Sequence, residues 1–171
     1  VAELFEKQSG RKRNLPYNIC AKRTYEGILL AKQTEERQTE CREKLIIPGI
    51  TRLKDRNLQI CCTIWEKDKN FSIEQIPQTP YTKWFDYDTI KSTVQIRPRR
   101  SGDFLTVTAS GGRKTLKKYL IDEKIPAGER DRLCLLADGS HILWVVGHRI
   151  SEAYKVTEKT SRVLKVQVME D

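Results

Sequence analysis

The sequence predicts a strand-rich α+β chain, a small antiparallel β module followed by a segment that mixes strands with short helices. Three observations carry that expectation. Apolar and polar residues alternate over short runs such as 17–22 and 58–64, the period of half-buried strands. Only residues 113–123 show an extended helical stripe, with Leu116, Tyr119 and Leu120 on one side. Residues 66–80 are polar and include Pro77 and Pro80, a connection that divides the chain into a linker module, 1–80, and a C-terminal domain, 81–171.

The elements follow in order. Residues 17–22 read as a strand, and 24–27 turn it into a hairpin partner at 28–31. The stretch 33–44 is almost wholly polar and reads as a solvated loop, while the helicity of 3–8 stays open. Leu45, Ile46 and Ile47 form a short apolar strand stopped by Pro48-Gly49. Leu58, Ile60, Cys62 and Ile64 share one face of the next strand. In the second half, the helix over 113–123 places Lys114, Lys117 and Lys118 outward, and Pro126 starts a second short helix reaching Arg132. Strands at 133–137 and 141–146 are joined by Asp138-Gly139-Ser140, a favoured hairpin turn, and 163–168 alternates as a last strand.

The 171 residues suffice for a hydrophobic core. Lys and Arg outnumber Asp and Glu by 32 to 23, a net charge of +9. Such a balance points to a polyanionic partner, with plain solubility as the alternative. No run approaches the ~20 apolar residues of a membrane helix. Five cysteines without a CxxC spacing read as reduced thiols of a cytoplasmic protein, not as a disulfide framework or zinc site. The start at Val1 leads us to expect a preceding part of a longer protein.

No catalytic residue or metal ligand is expected. Ser110-Gly111-Gly112 fails as a phosphate-binding Walker loop, because Arg113 stands where a glycine should precede Lys114-Thr115. His141 and His148 have no cysteine spacing around them, and Asp86 with Asp88 reads as a solvated turn. Trp144 and Tyr119 lie on apolar stripes and read as core.

The charge is concentrated. Between residues 97 and 118, Arg97, Arg99, Arg100, Arg113, Lys114, Lys117 and Lys118 face one acid, Asp103, for a local balance of +6 out of +9. Arg97 and Arg99 would leave one strand face together, and the lysines would cluster at helical i, i+3 and i+4 spacing. Gly111-Gly112 would leave amides free at the helix N-terminus, an anion site. The competing reading is that these cations brace the fold against Asp103, Asp122 and Glu123.

The second half also carries a long ordered set of motifs: Trp84-Phe85-Asp86-Tyr87-Asp88, Ile96 to Asp103, Gly112 to Pro126, Arg130-Asp131-Arg132, and Ile142 to Glu152. Together these resemble the C-terminal region of bacterial tRNA(Ile)-lysidine synthetases. Residues 9–16 with Arg23-Thr24-Tyr25 look like the hairpin that precedes this region. The resemblance implies a β-sandwich-like domain with short helices, similar to a module of phenylalanyl-tRNA synthetase β chains. It also implies a parent enzyme that uses ATP, with Mg, to attach lysine to the wobble cytidine of tRNA(Ile), changing codon reading from Met to Ile. That chemistry belongs to an N-terminal ATP-pyrophosphatase-type domain whose SGGxDS loop this chain lacks. Ser110-Gly111-Gly112 is followed by Arg-Lys-Thr instead. The implied role here is to bind tRNA(Ile), including its acceptor stem, with Lys124, Arg130, Arg132 and Arg149 as further matching cations. The implied partners are tRNA(Ile) and the parent's own catalytic domain, with a homodimer left open. An interaction module packing on that domain is the rival reading.

Overall fold

Short alternating runs, interrupted by Pro, Gly and polar turns, make strand the prevalent regular element. The structure is a computed structural model that describes residues 12–16, 19–24, 26–32 and 42–171. The chain divides into two compact units, Val1–Thr39 and Glu40–Asp171.

In the first unit, β1 (Lys12–Leu15), β2 (Ile19–Arg23) and β3 (Ile28–Lys32) form an antiparallel meander in that order. The expected hairpin is present. Its turn is held by Thr24, whose amide donates to the Gly27 carbonyl at 2.8 Å, while the Thr24 hydroxyl accepts from the Gly27 amide at 3.1 Å. Residues 3–8, Tyr17, Asn18 and 33–41 lie outside the described residues, so the expectations placed on them are not addressed.

The second unit begins with β4 (Glu43–Lys44), β5 (Gly49–Leu53), β6 (Leu58–Glu66) and β7 (Thr82–Asp86). It continues through β8 (Gln95–Arg97), β9 (Phe104–Thr106) and β10 (Arg113–Thr115) to α1 (Leu116–Asp122) and α2 (Ala127–Arg130). It closes with β11 (Leu135–Asp138), β12 (His141–Val145) and β13 (Arg162–Glu170). One sheet has the order β5-β6-β13-β7, and the other β10-β9-β12-β11-β8-β4.

Three layers result. Between the sheets lie Leu53, Ile60, Cys62, Phe85, Leu164 and Val166 from one side and Ile96, Leu136, Leu143 and Trp144 from the other. Leu58 and Ile64 pack against this cluster, as their shared face requires. On the far side of the larger sheet, Leu105, Leu135, Ala137, Ile142 and Val145 meet Leu116, Tyr119 and Leu120 of α1. The apolar run Leu135-Leu136-Ala137 of β11 follows from burial on both faces. A bulge opposite Leu136/Ala137 leaves Leu143 without a partner, which puts Leu143 and Trp144 in the same core. Among the described residues, no helix is long and apolar enough to cross a membrane.

Several expectations change. The division falls at 39/40 and not at 80/81, because β5 and β6 pair into the same sheet as β13 and β7. Residues 66–80 thus connect two strands of one sheet. Leu45 to Ile47 form no strand, because the Ile46 amide donates to the Thr51 hydroxyl at 2.9 Å and the chain turns through Pro48-Gly49 into β5. Arg113, Lys114 and Thr115 are strand, paired with β9, and the helix starts only at Leu116. Thr115 stops the strand by capping: its hydroxyl accepts from the Lys118 amide at 3.3 Å. The Asp86/Asp88 turn is structural. Asp86 is buried and accepts from the Thr160 hydroxyl at 2.7 Å, while Arg162 grips Asp88 at 2.7 Å.

Candidate nucleic-acid interface

Of the cations singled out by sequence, Arg97 is removed first. It ends β8 in the interior, its side chain 1% exposed, like that of Asp103. The two meet through paired hydrogen bonds, Nη1 to Oδ2 at 2.9 Å and Nη2 to Oδ1 at 2.8 Å. The guanidinium also donates to the carbonyls of Gly139 at 2.7 Å and Pro98 at 3.0 Å. Asp103 further accepts from the Arg100 amide at 2.7 Å. A guanidinium held this way cannot reach a phosphate outside the fold, so Arg97 is a brace. Nor does it share a strand face with Arg99, since β8 ends at Arg97; Arg99 pairs instead with Asp131 at 2.7 Å.

The Gly111-Gly112 pair is not the N-terminus of a helix either. It forms the β9–β10 turn, where Gly111 takes a φ of +90°. Its amides are engaged, Gly111 with the Thr108 carbonyl at 3.0 Å and Gly112 with the Thr108 hydroxyl at 2.8 Å. A Cβ on Gly112 would meet that hydroxyl at 2.6 Å, so glycine serves a close approach. Ser110 is tied into the same turn by its hydroxyl contact with Thr108 at 3.0 Å. These donors do not fit a phosphate cradle.

The cations that remain lie along β10 and α1. The helix is only seven residues long and holds because Leu116, Tyr119 and Leu120 are buried, each contributing about 1.5–3 kcal/mol. Its C-terminus closes with the Ile125 amide on the Leu120 carbonyl at 3.0 Å and the Lys124 amide on the Ile121 carbonyl at 2.9 Å. This double bond pattern needs a left-handed residue between, and Lys124 fills that place with a φ of +55°. Glycine would do so at less cost.

Lys117, Lys118 and Lys124 are exposed. None of them takes part in an ion pair among the described residues. Lys114 sits on β10 and pairs with Asp122 at 2.9 Å, so the expected i, i+3, i+4 lysine cluster is not built. Arg113 is exposed and lays its guanidinium 4.8 Å over the Phe104 ring, a cation–π contact. Phe104 stacks in turn on His141 at 4.5 Å. Burial, and then the nearby Arg113 charge, hold the His141 imidazole below its ordinary range. Sequence reading missed Phe104, because only the β9–β10 pairing brings it beneath Arg113.

The other candidates scatter. Arg130 donates to the Ile125 carbonyl at 2.8 Å and secures the helix end. Arg149 donates to the Val107 carbonyl at 2.7 Å and pairs with Glu152 at 2.9 Å. Arg100 and Arg132 are exposed. Trp144 and Tyr119 are core residues, as their stripes suggested. Among the described residues, no group of three or more His, Cys, Asp or Glu is placed to hold a metal ion.

Comparison with known proteins adds a family. Residues 94–167 match the model of the TilS substrate C-terminal domain. The chain is 34% identical over 98% of its length to a tRNA(Ile)-lysidine synthase of Caldanaerobacter subterraneus subsp. tengcongensis, of which it covers 35%. A Clostridium perfringens protein of the same name is 30% identical over 97% of the chain, with 36% of that relative covered. The chain therefore spans about a third of the length of these relatives. A solved TilS C-terminal domain superimposes with a TM-score of 0.57 and 25% identity, covering 75% of this chain and 95% of its own.

Proposed function

The chain carries the substrate C-terminal domain of the tRNA(Ile)-lysidine synthases, and from that premise we propose that it is the tRNA-gripping part of a longer ligase. In this reading the parent enzyme works in the cytoplasm and joins lysine to the wobble cytidine of tRNA(Ile). ATP, with Mg, and lysine are bound by another domain. These 171 residues supply affinity and orientation, and no catalytic group.

The observation that carries the proposal is the set of cations along one stretch of chain, Arg113, Lys117, Lys118 and Lys124, that form no ion pair among the described residues. Cations already matched by carboxylates gain little from a phosphate. Unmatched ones release a condensed counterion for each phosphate they meet. They lie on an edge strand of the larger sheet, on the helix that follows and just past its C-terminal cap, where a duplex backbone can approach. Recognition of an acceptor stem rests on such backbone and shape contacts. Lys124 adds weight, because a lysine is kept where the backbone favours glycine.

The test is binding of the chain to an RNA minihelix of the tRNA(Ile) acceptor stem. Changing Lys117 and Lys118 together to Glu should weaken binding at least roughly tenfold with the fold intact. Unchanged affinity would overturn the site. The rival reading, a module packing on the parent's catalytic domain or on a second copy, draws on Leu29 and Leu30 of β3, which are 56% and 57% exposed. It expects no minihelix binding, and association with the separately produced catalytic domain.

A further inference from the structure

A second basic site adjoins β7. Where β7 runs along the open edge of the smaller sheet, the 66–80 connection and the 148–156 segment enclose a cavity of about 410 Å³. That lies within the ~300–1,000 Å³ typical of small-ligand sites. Its apolar wall includes Ile76 and Pro77, and Trp84 contributes an indole. Its cations are Lys83, Arg149 and Lys155. Arg149 and Lys155 share one carboxylate, Glu152, at 2.9 and 2.6 Å, whereas Lys83 is in no ion pair among the described residues. The cavity thus keeps a positive surplus beside an aromatic ring.

The ligand chemistry follows from those two features together. An anion alone would need the cations but not the indole. An apolar ligand would need the wall but not three cations around it. A nucleotide with an unpaired base needs both, a flat π-face to stack on and ammonium or guanidinium groups for its phosphate. We propose that this cavity binds one unpaired nucleotide of an RNA, its base on Trp84 and its phosphate held by Lys83. The site rests on the reading of the chain as RNA-binding, but adds a single-stranded contact to the duplex contact of the α1 edge. Burial lowers the Lys83 ammonium below its ordinary range, so an arriving phosphate meets a partly desolvated charge. Sequence singled out only Arg149 here, because the lining residues come from three separated segments with no motif among them.

The experiment uses the 171-residue chain with two RNAs, a single-stranded tetranucleotide and a blunt duplex. Trp84→Ala should weaken the tetranucleotide by about 5- to 150-fold, the worth of one base–aromatic stack. Lys83→Gln should weaken it about tenfold. Trp84→Phe should retain most of the affinity, and none of the three should alter duplex binding. Tetranucleotide affinity unchanged in both Trp84→Ala and Lys83→Gln would overturn the proposal. So would inorganic phosphate competing as well as the tetranucleotide, since that describes a plain anion site. If Lys117→Glu with Lys118→Glu leaves duplex binding untouched while Trp84→Ala abolishes the tetranucleotide, the α1 reading fails and the cavity stands. The opposite pattern sinks the cavity alone.

Discussion

Replacing Asp103 with Ala tests the reassignment of Arg97 from ligand to brace. Both side chains are 1% exposed, so the substitution leaves a guanidinium in the interior with only the Pro98 and Gly139 carbonyls as acceptors. The Arg97 Nε is already without a partner, and the Arg100 amide loses its acceptor as well. Breaking one side of a buried pair costs about 3–5 kcal/mol. With a urea m-value of about 1–3 kcal/mol/M, the midpoint should fall by roughly 1–5 M in unfolding followed by circular dichroism. Replacing both partners by apolar residues, Arg97→Met with Asp103→Leu, should recover most of that loss, because it removes the charge and its desolvation penalty together. The double variant should still bind the acceptor minihelix with unchanged affinity. A loss below about 1 kcal/mol for Asp103→Ala would refute the brace, as would minihelix binding lost in a folded double variant.

Three further outcomes follow from the same structure. Lys124→Gly should stabilise the unit by up to about 1 kcal/mol, because glycine accepts the left-handed backbone, yet should weaken RNA binding; paired urea and binding titrations check both signs. His141, held below its ordinary range by burial, binds fewer protons folded than unfolded. Stability should therefore fall as pH drops below the unfolded value of about 6.5, and His141→Gln should flatten that slope in pH-resolved unfolding. Burial pushes the Cys62 thiol up to about 12, so at pH 8 it should resist alkylation in the folded chain and label only in denaturant, as read by peptide mass spectrometry.

Much of the sandwich was legible from residue patterns. The shared face of Leu58, Ile60, Cys62 and Ile64, the α1 stripe and the core roles of Trp144 and Tyr119 all follow from periodicity. Three-residue strands such as β8, β9 and β10 are too short to show a period, so β10 was read as the first turn of a helix. The Leu143 bulge is a register event between strands, invisible along one of them. The candidate site was legible as a basic window but not as a surface. Arg97 and Asp103 are six residues apart across a turn, and only the folded chain shows that they close on each other. Lys117, Lys118 and Lys124 stood out by type, yet their freedom from partners depends on where Asp122 and Asp131 point, toward Lys114 and Arg99.

The most direct measurement is the salt dependence of tRNA(Ile) binding by the chain and by its Arg113, Lys117, Lys118, Lys124 to Gln variant. Each phosphate contact contributes about 0.9 to the slope of log affinity against log salt on a duplex, so losing four should lower the slope by roughly 3–4. A variant that keeps the parent slope and affinity would contradict the assignment of this edge to RNA.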